Sequence, residues 1–438
     1  MSLTETLVTV GATAVATGMM WQWRRLGAGT TPKPEDHAAA APPELRPAVF
    51  IVTDPAQLAL MWPALGLGSR EIGYPNVLSA TYTEFGMSAE VQMLGGQSLK
   101  DWNNDATCAA LAAYFGVPAV TVTATDPGFV RLDLRVYDTL ADTATLPGLA
   151  SGVGVDLEAV PVGVTEDFDT WRVRVLYGHI LLAGATGSGK GSVLWSIIAA
   201  LGPAIEAGLV DLYLADPKGG AEFGKGENRL FVRFATDNPT ILAMLNEAVD
   251  LMDERLARMR AAGLRKLVPT TDEPLILIII DEAASLSSYA TRNEQEEFRR
   301  LTGLLLSKGR AAAVSVIAAL QDPSKETMPN RQLFPVRIGL RLDEPTQNAM
   351  VHGQGARDRG ARCDEISDRT PGVGYVGEDG STEFVRVRAF FVSDDDIDAI
   401  VDAYSPAPEI TAPTEDYSDF DPDDLGDGEE SEDGPVAA

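Results

Sequence analysis

The sequence predicts an α/β protein built on a parallel sheet between helices and preceded by a small α+β domain. Three observations lead there. A Gly-rich loop, GATGSGK from Gly184 to Lys190, stands between the short apolar run at His179 to Leu182 and an apolar stretch with helical spacing at Val193 to Leu201. Six aliphatic residues, Leu275 to Ile280, form an uninterrupted apolar run, as in a strand buried on both faces. From about residue 154 to 404, strand-like and helix-like segments alternate as repeated strand, crossover, strand units.

The loop comes first because it carries the clearest chemistry. Gly184, Gly187 and Gly189 allow successive backbone N–H groups to curl around a phosphate, and the helix that follows adds its positive dipole end. Lys190 supplies a point charge for the β and γ phosphates. The full stretch Gly184, Ala185, Thr186, Gly187, Ser188, Gly189, Lys190, Gly191 and Ser192 is therefore the predicted nucleotide cradle. It departs from the P-loop pattern at one place. Gly191 stands where a Ser or Thr hydroxyl would ligate Mg²⁺. Either Ser192 takes over through a small shift of the first helical turn, or water holds that position.

The aliphatic strand ends in Asp281 and Glu282, at the carboxyl end where open α/β sheets place ligand chemistry. In that place Asp281 would hold Mg²⁺ through water and Glu282 would orient and deprotonate an attacking water. The run Leu209 to Ala215 is a further strand, ending in Asp216, Pro217, Lys218, Gly219 and Gly220. A long helix is expected from Pro239 to Ala262, another from Asn293 to Leu306, and a strand from Ala313 to Leu320. That last strand delivers Gln321, either a γ-phosphate sensor or a polar residue opening a loop.

The chain's 438 residues, 45% of them hydrophobic, suffice for two folded domains plus extensions. Two distant cysteines give neither a zinc spacing nor a disulfide framework, and three scattered histidines suggest no metal centre. Residues 1–25 read as an N-terminal membrane anchor: Leu7 to Trp21 is uncharged and mostly apolar, and Trp21, Trp23, Arg24 and Arg25 suit a cytoplasmic interface. An amphiphilic helix lying on the membrane surface is the alternative. Residues 26–47 read as a Pro/Ala linker. Residues 48–150 read as the small α+β domain, with strands at Val49 to Thr53, Glu90 to Leu94, Ala119 to Thr123 and Phe129 to Tyr137, and a helical piece at Asp101 to Phe115. Residues 151–404 form the large domain, and 405–438 an acidic tail with twelve Asp and Glu and no Lys or Arg, which cannot bury a core.

The ordered motifs GATGSGKGS, DPKGG, MDERLARM, LILIIIDEAASL, LLSKGRAAAVSVIAALQDPS and PVRIGLRL resemble the motor domain of the FtsK/SpoIIIE family of DNA translocases, over about Pro161 to Ile397. The GKGS loop is similar to that of the actinobacterial conjugal-transfer, or Tra and TraB, type. The resemblance implies a RecA-like ATPase using ATP and Mg²⁺ and working as a homo-oligomeric ring, a hexamer, around double-stranded DNA. It assigns Lys190 to the nucleotide loop, Asp281 and Glu282 to the acidic pair and Gln321 to the sensor position, and places Asp216, counted with the nucleotide-binding residues, and Lys218 beside the site. It also implies an arginine supplied in trans, for which Arg310, Arg337 and Arg341 lie in matching segments.

Two features depart from the family pattern. The acidic tail stands where several relatives carry a winged-helix module; it reads first as a soluble, unstructured end, with repulsion of off-target DNA or contact with a basic partner, such as other transfer proteins, as the alternatives. The net charge of −29 falls only to −17 without the tail, with 52 acids against 35 bases, the wrong sign for a generic nucleic-acid binder. A ring needs positive charge only along its pore, to which Arg255, Arg258, Arg260, Arg265 and Lys266, or Arg299, Arg300, Lys308 and Arg310, would contribute if they face inward. The leading expectation is membrane-associated, ATP-driven movement of double-stranded DNA in conjugal transfer. The alternatives are chromosome segregation, a protein-secretion ATPase and a nucleotide-binding scaffold that has lost hydrolysis. One nucleotide loop rather than several disfavours secretion, and retention of both Asp281 and Glu282 disfavours the scaffold.

Overall fold

The computed structural model describes residues 33–150, 154–381 and 383–406. The anchor expected at residues 1–25 and nearly all of the acidic tail lie outside the described residues. Among those described, no helix is long and apolar enough to cross a membrane.

The first part opens with helices α1 (Pro34–Ala40), α2 (Arg46–Thr53) and α3 (Pro55–Ala64). The described part of the expected linker is therefore folded. Pro34 sits in the first turn of α1, where its missing N–H costs nothing, and the alanines behind it are strong helix formers. Ala41 and Leu45 are buried in the first core. The expected strand at Val49 to Thr53 is also helical. Its β-branched residues favour a strand locally, but burial of Ala48, Val49 and Ile51 on one helical face outweighs that preference.

Next come β1 (Asn76–Thr83), β2 (Gly86–Gln92), α4 (Leu99–Trp102), α5 (Asp105–Phe115), β3 (Ala119–Ala124) and β4 (Phe129–Arg135). The strands form an antiparallel sheet in the order β1-β2-β4-β3. The helices cover it over a core that includes Trp62 and Trp102, whose rings meet edge to face at 5.5 Å. Asp101 accepts the Ser98 N–H at 2.7 Å as a helix cap, while Asp105 pairs with Arg357 of the second core at 2.5 Å. Arg386 reaches Asp138 in the same way, at 2.6 and 2.9 Å.

The second part contains β5 (Ala144–Thr145), β6 (Val160–Thr165), β7 (Thr170–Val173), β8 (Ile180–Ala183), α6 (Lys190–Glu206), β9 (Val210–Ala215), β10 (Arg233–Ala235) and α7 (Asn238–Ala262). It continues through β11 (Leu275–Asp281), α8 (Ala284–Ser287), α9 (Arg292–Lys308), β12 (Val314–Leu320), β13 (Val336–Leu340), α10 (Pro345–His352), β14 (Val373–Glu378), β15 (Val385–Phe391) and α11 (Asp394–Tyr404). The strand order is β10-β9-β11-β12-β8-β13-β14-β15-β6-β7, with β5 on β15. The first six strands are parallel, as expected. The last four extend the sheet antiparallel, which the sequence reading did not anticipate. All seven residues of β11 and of β12 are buried, so continuous aliphatic runs mark the middle of the sheet.

The basic runs that would line a pore if they faced inward are largely committed elsewhere. Arg255 is 5% exposed and donates to the carbonyls of Ala312 (3.1 Å), Ala313 (3.3 Å) and Pro274 (2.8 Å), closing the end of the α7 packing. Arg258 pairs with Glu273, Arg300 with Glu297 and Lys308 with Asp253. Lys266 lies over the Tyr177 ring at 4.3 Å.

Two histidines are buried and neutral. His179, just before β8, accepts the Val316 N–H at 3.1 Å, and burial, reinforced by Arg310, pulls its pKa down to about 3. Burial, with Arg337 and Arg359, does the same to His352. Above pH 6.5 both the folded and unfolded states are neutral at these sites. As pH falls from 6.5 toward about 3, only the unfolded chain takes up the protons, so each histidine removes about 1.4 kcal/mol of stability per pH unit. Denaturant unfolding of His352→Gln beside the unsubstituted chain is expected to show the latter losing about 2 kcal/mol more between pH 7 and pH 5. An unchanged difference at the two pH values would refute the buried neutral state.

Candidate nucleotide site

The parallel register brings four strand ends to one edge. Ala183 of β8 pairs with Leu320 of β12 on one side and Gly339 of β13 on the other, Ala319 pairs with Asp281, and Ala215 pairs with Ile280. The next residues along each strand are Gly184, Gln321, Glu282 and Asp216. β12 lies between the loop strand and the acidic strand, so Gln321 emerges between them. The loop is tied to both neighbours: Gly184 N–H donates to Leu320 O at 3.1 Å and Ala185 N–H to Arg341 O at 2.8 Å.

Gly187 (φ 72°) and Gly189 (φ 99°) hold the left-handed backbone that turns the loop into α6. A Cβ on Gly189 would collide with Gly372 N, whose N–H donates to Ser188 O at 2.8 Å. The 370–372 loop therefore braces the cradle, a support with no signature in the sequence. Lys190, the first residue of α6, is 8% exposed, and its Nζ donates to Gly184 O (2.6 Å) and Ala185 O (3.3 Å). Burial lowers the pKa of its ammonium, with Glu282 the principal charge opposing that shift. In this state the cation's partners are carbonyls of its own loop, and the Ser188 hydroxyl is buried without a hydrogen-bond partner among the described residues.

Asp281 receives Lys218 Nζ at 2.8 Å. Burial works against the Lys218 ammonium, but its bond to Asp281 and the charges of Glu282 and Glu222 outweigh that and raise its pKa. Glu282 adopts φ 81°, a backbone strain that side chains other than Gly and Asn rarely carry. It is 8% exposed, and both carboxylate oxygens are buried with no hydrogen-bond partner among the described residues. A buried carboxylate left this way is costly unless a ligand or ordered water completes it.

Other expected site residues divide into those the fold gathers and those it does not. Gln321 accepts the Thr186 hydroxyl at 3.1 Å, opposite the loop. Asp216, placed with the nucleotide ligands by sequence, is engaged by its own loop instead. Its carboxylate is consumed by its own loop, accepting Lys218 N–H (3.1 Å), Glu222 N–H (3.2 Å) and Phe223 N–H (3.2 Å). Asp216 therefore positions Lys218 and Glu222. Arg341 donates to Thr186 O and Asp343, both at 2.9 Å, and so belongs to its own subunit's loop. Arg337 donates to Phe334 O and Val351 O within its own chain. Arg310 is exposed and precedes β12, at the opposite edge of the sheet. Ser192 lies in the first turn of α6, half-buried.

Sequence reading missed Glu222. A Cβ on Gly191 would collide with Glu222 Oε1, so the carboxylate fills the space of the absent Ser or Thr side chain. Its pKa is raised by burial and then by the charge of Asp281. The departure at Gly191 was the only available signal, and nothing in the sequence says which residue compensates.

The left-handed turn at Gly187 and Gly189, Lys190 and the orphaned oxygens of Glu282 and Ser188 fit a nucleoside triphosphate with Mg²⁺. The phosphates would lie at Gly184 to Lys190 and the metal toward Asp281. Loop, acidic pair and intervening strand together define a P-loop α/β protein.

Comparison with known proteins refines this class. Residues 151–273 match the FtsK/SpoIIIE family, a segment that includes the nucleotide loop and the Asp216 loop. DNA translocase FtsK of Mycobacterium tuberculosis is 26% identical over 310 residues, covering 64% of this chain and 35% of the relative. The Corynebacterium glutamicum protein of the same name is 26% identical over 305 residues, covering 63% and 30%. The chain thus spans about a third of the length of these relatives. In fold it is similar to the pCW3 conjugation coupling protein TcpA in its monomer form with ATPγS, with a TM-score of 0.52 at 20% identity over 79% of this chain and 98% of that one. The cytoplasmic domain of the type VII secretion ATPase EccC from Thermomonospora curvata gives a TM-score of 0.50 at 21% identity, over 61% and 35%.

Proposed function

We propose that this protein is an ATP-driven translocase of double-stranded DNA, acting as a homo-oligomeric ring, with six subunits the expected number, in conjugal transfer at the membrane. The observation that carries the reading is Glu282. It is a buried, unbonded carboxylate on strained backbone, one residue from an acid at the edge that also holds Lys190. Bound Mg²⁺ would neutralise charge on the phosphates and orient them. Lys190 and the loop amides hold those phosphates, Gln321 reports on the terminal one, and Glu282 accepts the proton of the attacking water. Lys218 holds Asp281 at a fixed position, from which it would face the metal.

Several features support DNA as the cargo. The sequence relatives are named DNA translocases, and TcpA, similar in fold, is named a conjugation coupling protein. Because Arg337 and Arg341 are engaged within their own chain, Arg310 is the candidate to reach a neighbouring subunit's nucleotide. The anchor reading of residues 1–25 would set the motor on the inner face of the membrane. The fold likeness to EccC favours a second reading, movement of protein.

The deciding measurement is steady-state ATP hydrolysis by the full chain in detergent, with and without long double-stranded DNA. Stimulation severalfold or more is expected, abolished by Lys190→Ala and falling as salt rises, because phosphate contacts release counterions. Hydrolysis indifferent to DNA would transfer the site to the protein-moving reading.

A further inference from the structure

We propose that Glu222 replaces the hydroxyl side chain missing at Gly191 and, with Asp281, holds the divalent cation of the bound nucleotide. The inference deepens the nucleotide reading of this site and rests on it.

Position 191 directly follows Lys190 on the first turn of α6, where a P-loop presents its metal-ligating hydroxyl. Here that space belongs to Glu222, whose Oε1 would collide with any Cβ at Gly191. The two residues are complementary: the carboxylate fits only because residue 191 has no side chain. Glu222 is delivered by a rigid support. Asp216 accepts its backbone N–H at 3.2 Å and that of Phe223 at 3.2 Å, and the Phe223 ring stacks on the fully buried Trp195 of α6 at 5.3 Å and 22°. The loop carrying the acid is thus fastened to the helix carrying the glycine.

The charges around this point are unbalanced in favour of a cation. Glu222, Asp281 and Glu282 face Lys190 and Lys218, and Lys218 is already paired with Asp281. Independently, Glu282 is buried with neither oxygen bonded, so the pocket is incomplete without a further group. Mg²⁺ takes one or two carboxylates and completes its shell with phosphate oxygens and water.

The test uses the full chain with ATPγS and Mn²⁺ as a paramagnetic probe. Two quantities are measured: binding of a fluorescent ATPγS in EDTA, and Mn²⁺ affinity of the nucleotide-loaded protein by electron paramagnetic resonance. Glu222→Gln is expected to bind nucleotide in EDTA like the unsubstituted chain while losing Mn²⁺ affinity on the order of 10–100-fold. The double variant Gly191→Ser with Glu222→Ala, which restores a hydroxyl where the carboxylate stood, is expected to recover most of that loss. Ser192→Ala should bind Mn²⁺ normally. Undiminished Mn²⁺ affinity in Glu222→Gln, no recovery in the double variant, or loss in Ser192→Ala would each overturn the assignment. Failure of the unsubstituted chain to bind nucleotide in EDTA would instead overturn the nucleotide reading beneath it.

Discussion

Glu282→Gln is expected to lower steady-state ATP hydrolysis by on the order of 10²–10⁴-fold while leaving nucleotide binding intact. The amide is isosteric with the carboxylate but cannot take a proton from water. Because both Glu282 oxygens are buried and unbonded, the neutral amide removes a desolvated charge, so thermal stability should hold or rise. The two readouts together separate chemistry from folding. Hydrolysis near the unsubstituted rate would move the base elsewhere, and a fall in stability would mean that hydrogen bonds from ordered water complete the carboxylate.

The second large effect is expected at Trp195. This side chain is 1% exposed, stacks on Phe223 and approaches Phe231 at 6.4 Å, and its indole N–H has no hydrogen-bond partner among the described residues. Its contribution is therefore packing. Trp195→Ala should cost about 3–5 kcal/mol in denaturant unfolding, with Trp195→Phe recovering much of it. A cost below about 1 kcal/mol would mean the cavity closes without loss, and the stack could not be what fastens the 216–223 loop to α6.

Much of the nucleotide edge was legible because its signals are local. Gly184 to Lys190 encodes its own turn, and the aliphatic runs of β11 and β12 announce strands buried on both faces. What escaped depends on distant partners. Val49 to Thr53 has strand propensity but lies in a helix because its neighbours cover one side. Asp216 looks like a ligand in DPKGG, yet three backbone N–H groups within seven residues consume it. Glu222 is 31 positions from Gly191, and only the fold shows that they share one space. The antiparallel extension, β14-β15-β6-β7, joins segments more than 200 residues apart, and no local pattern records such a pairing.

The position of β8 also bears on how the molecule opens. This strand is flanked on both sides, by β12 and β13, and four further strands lie outward of it in each direction except where β10 ends the row after three. Amide protons of β8 can therefore exchange with solvent only when ladders on both sides part, which approaches whole-domain unfolding. β8 should be among the last segments to take up deuterium, with the small antiparallel sheet labelling earlier. A protein built this way can move its rim and its loops while the strand that carries its nucleotide loop stays closed.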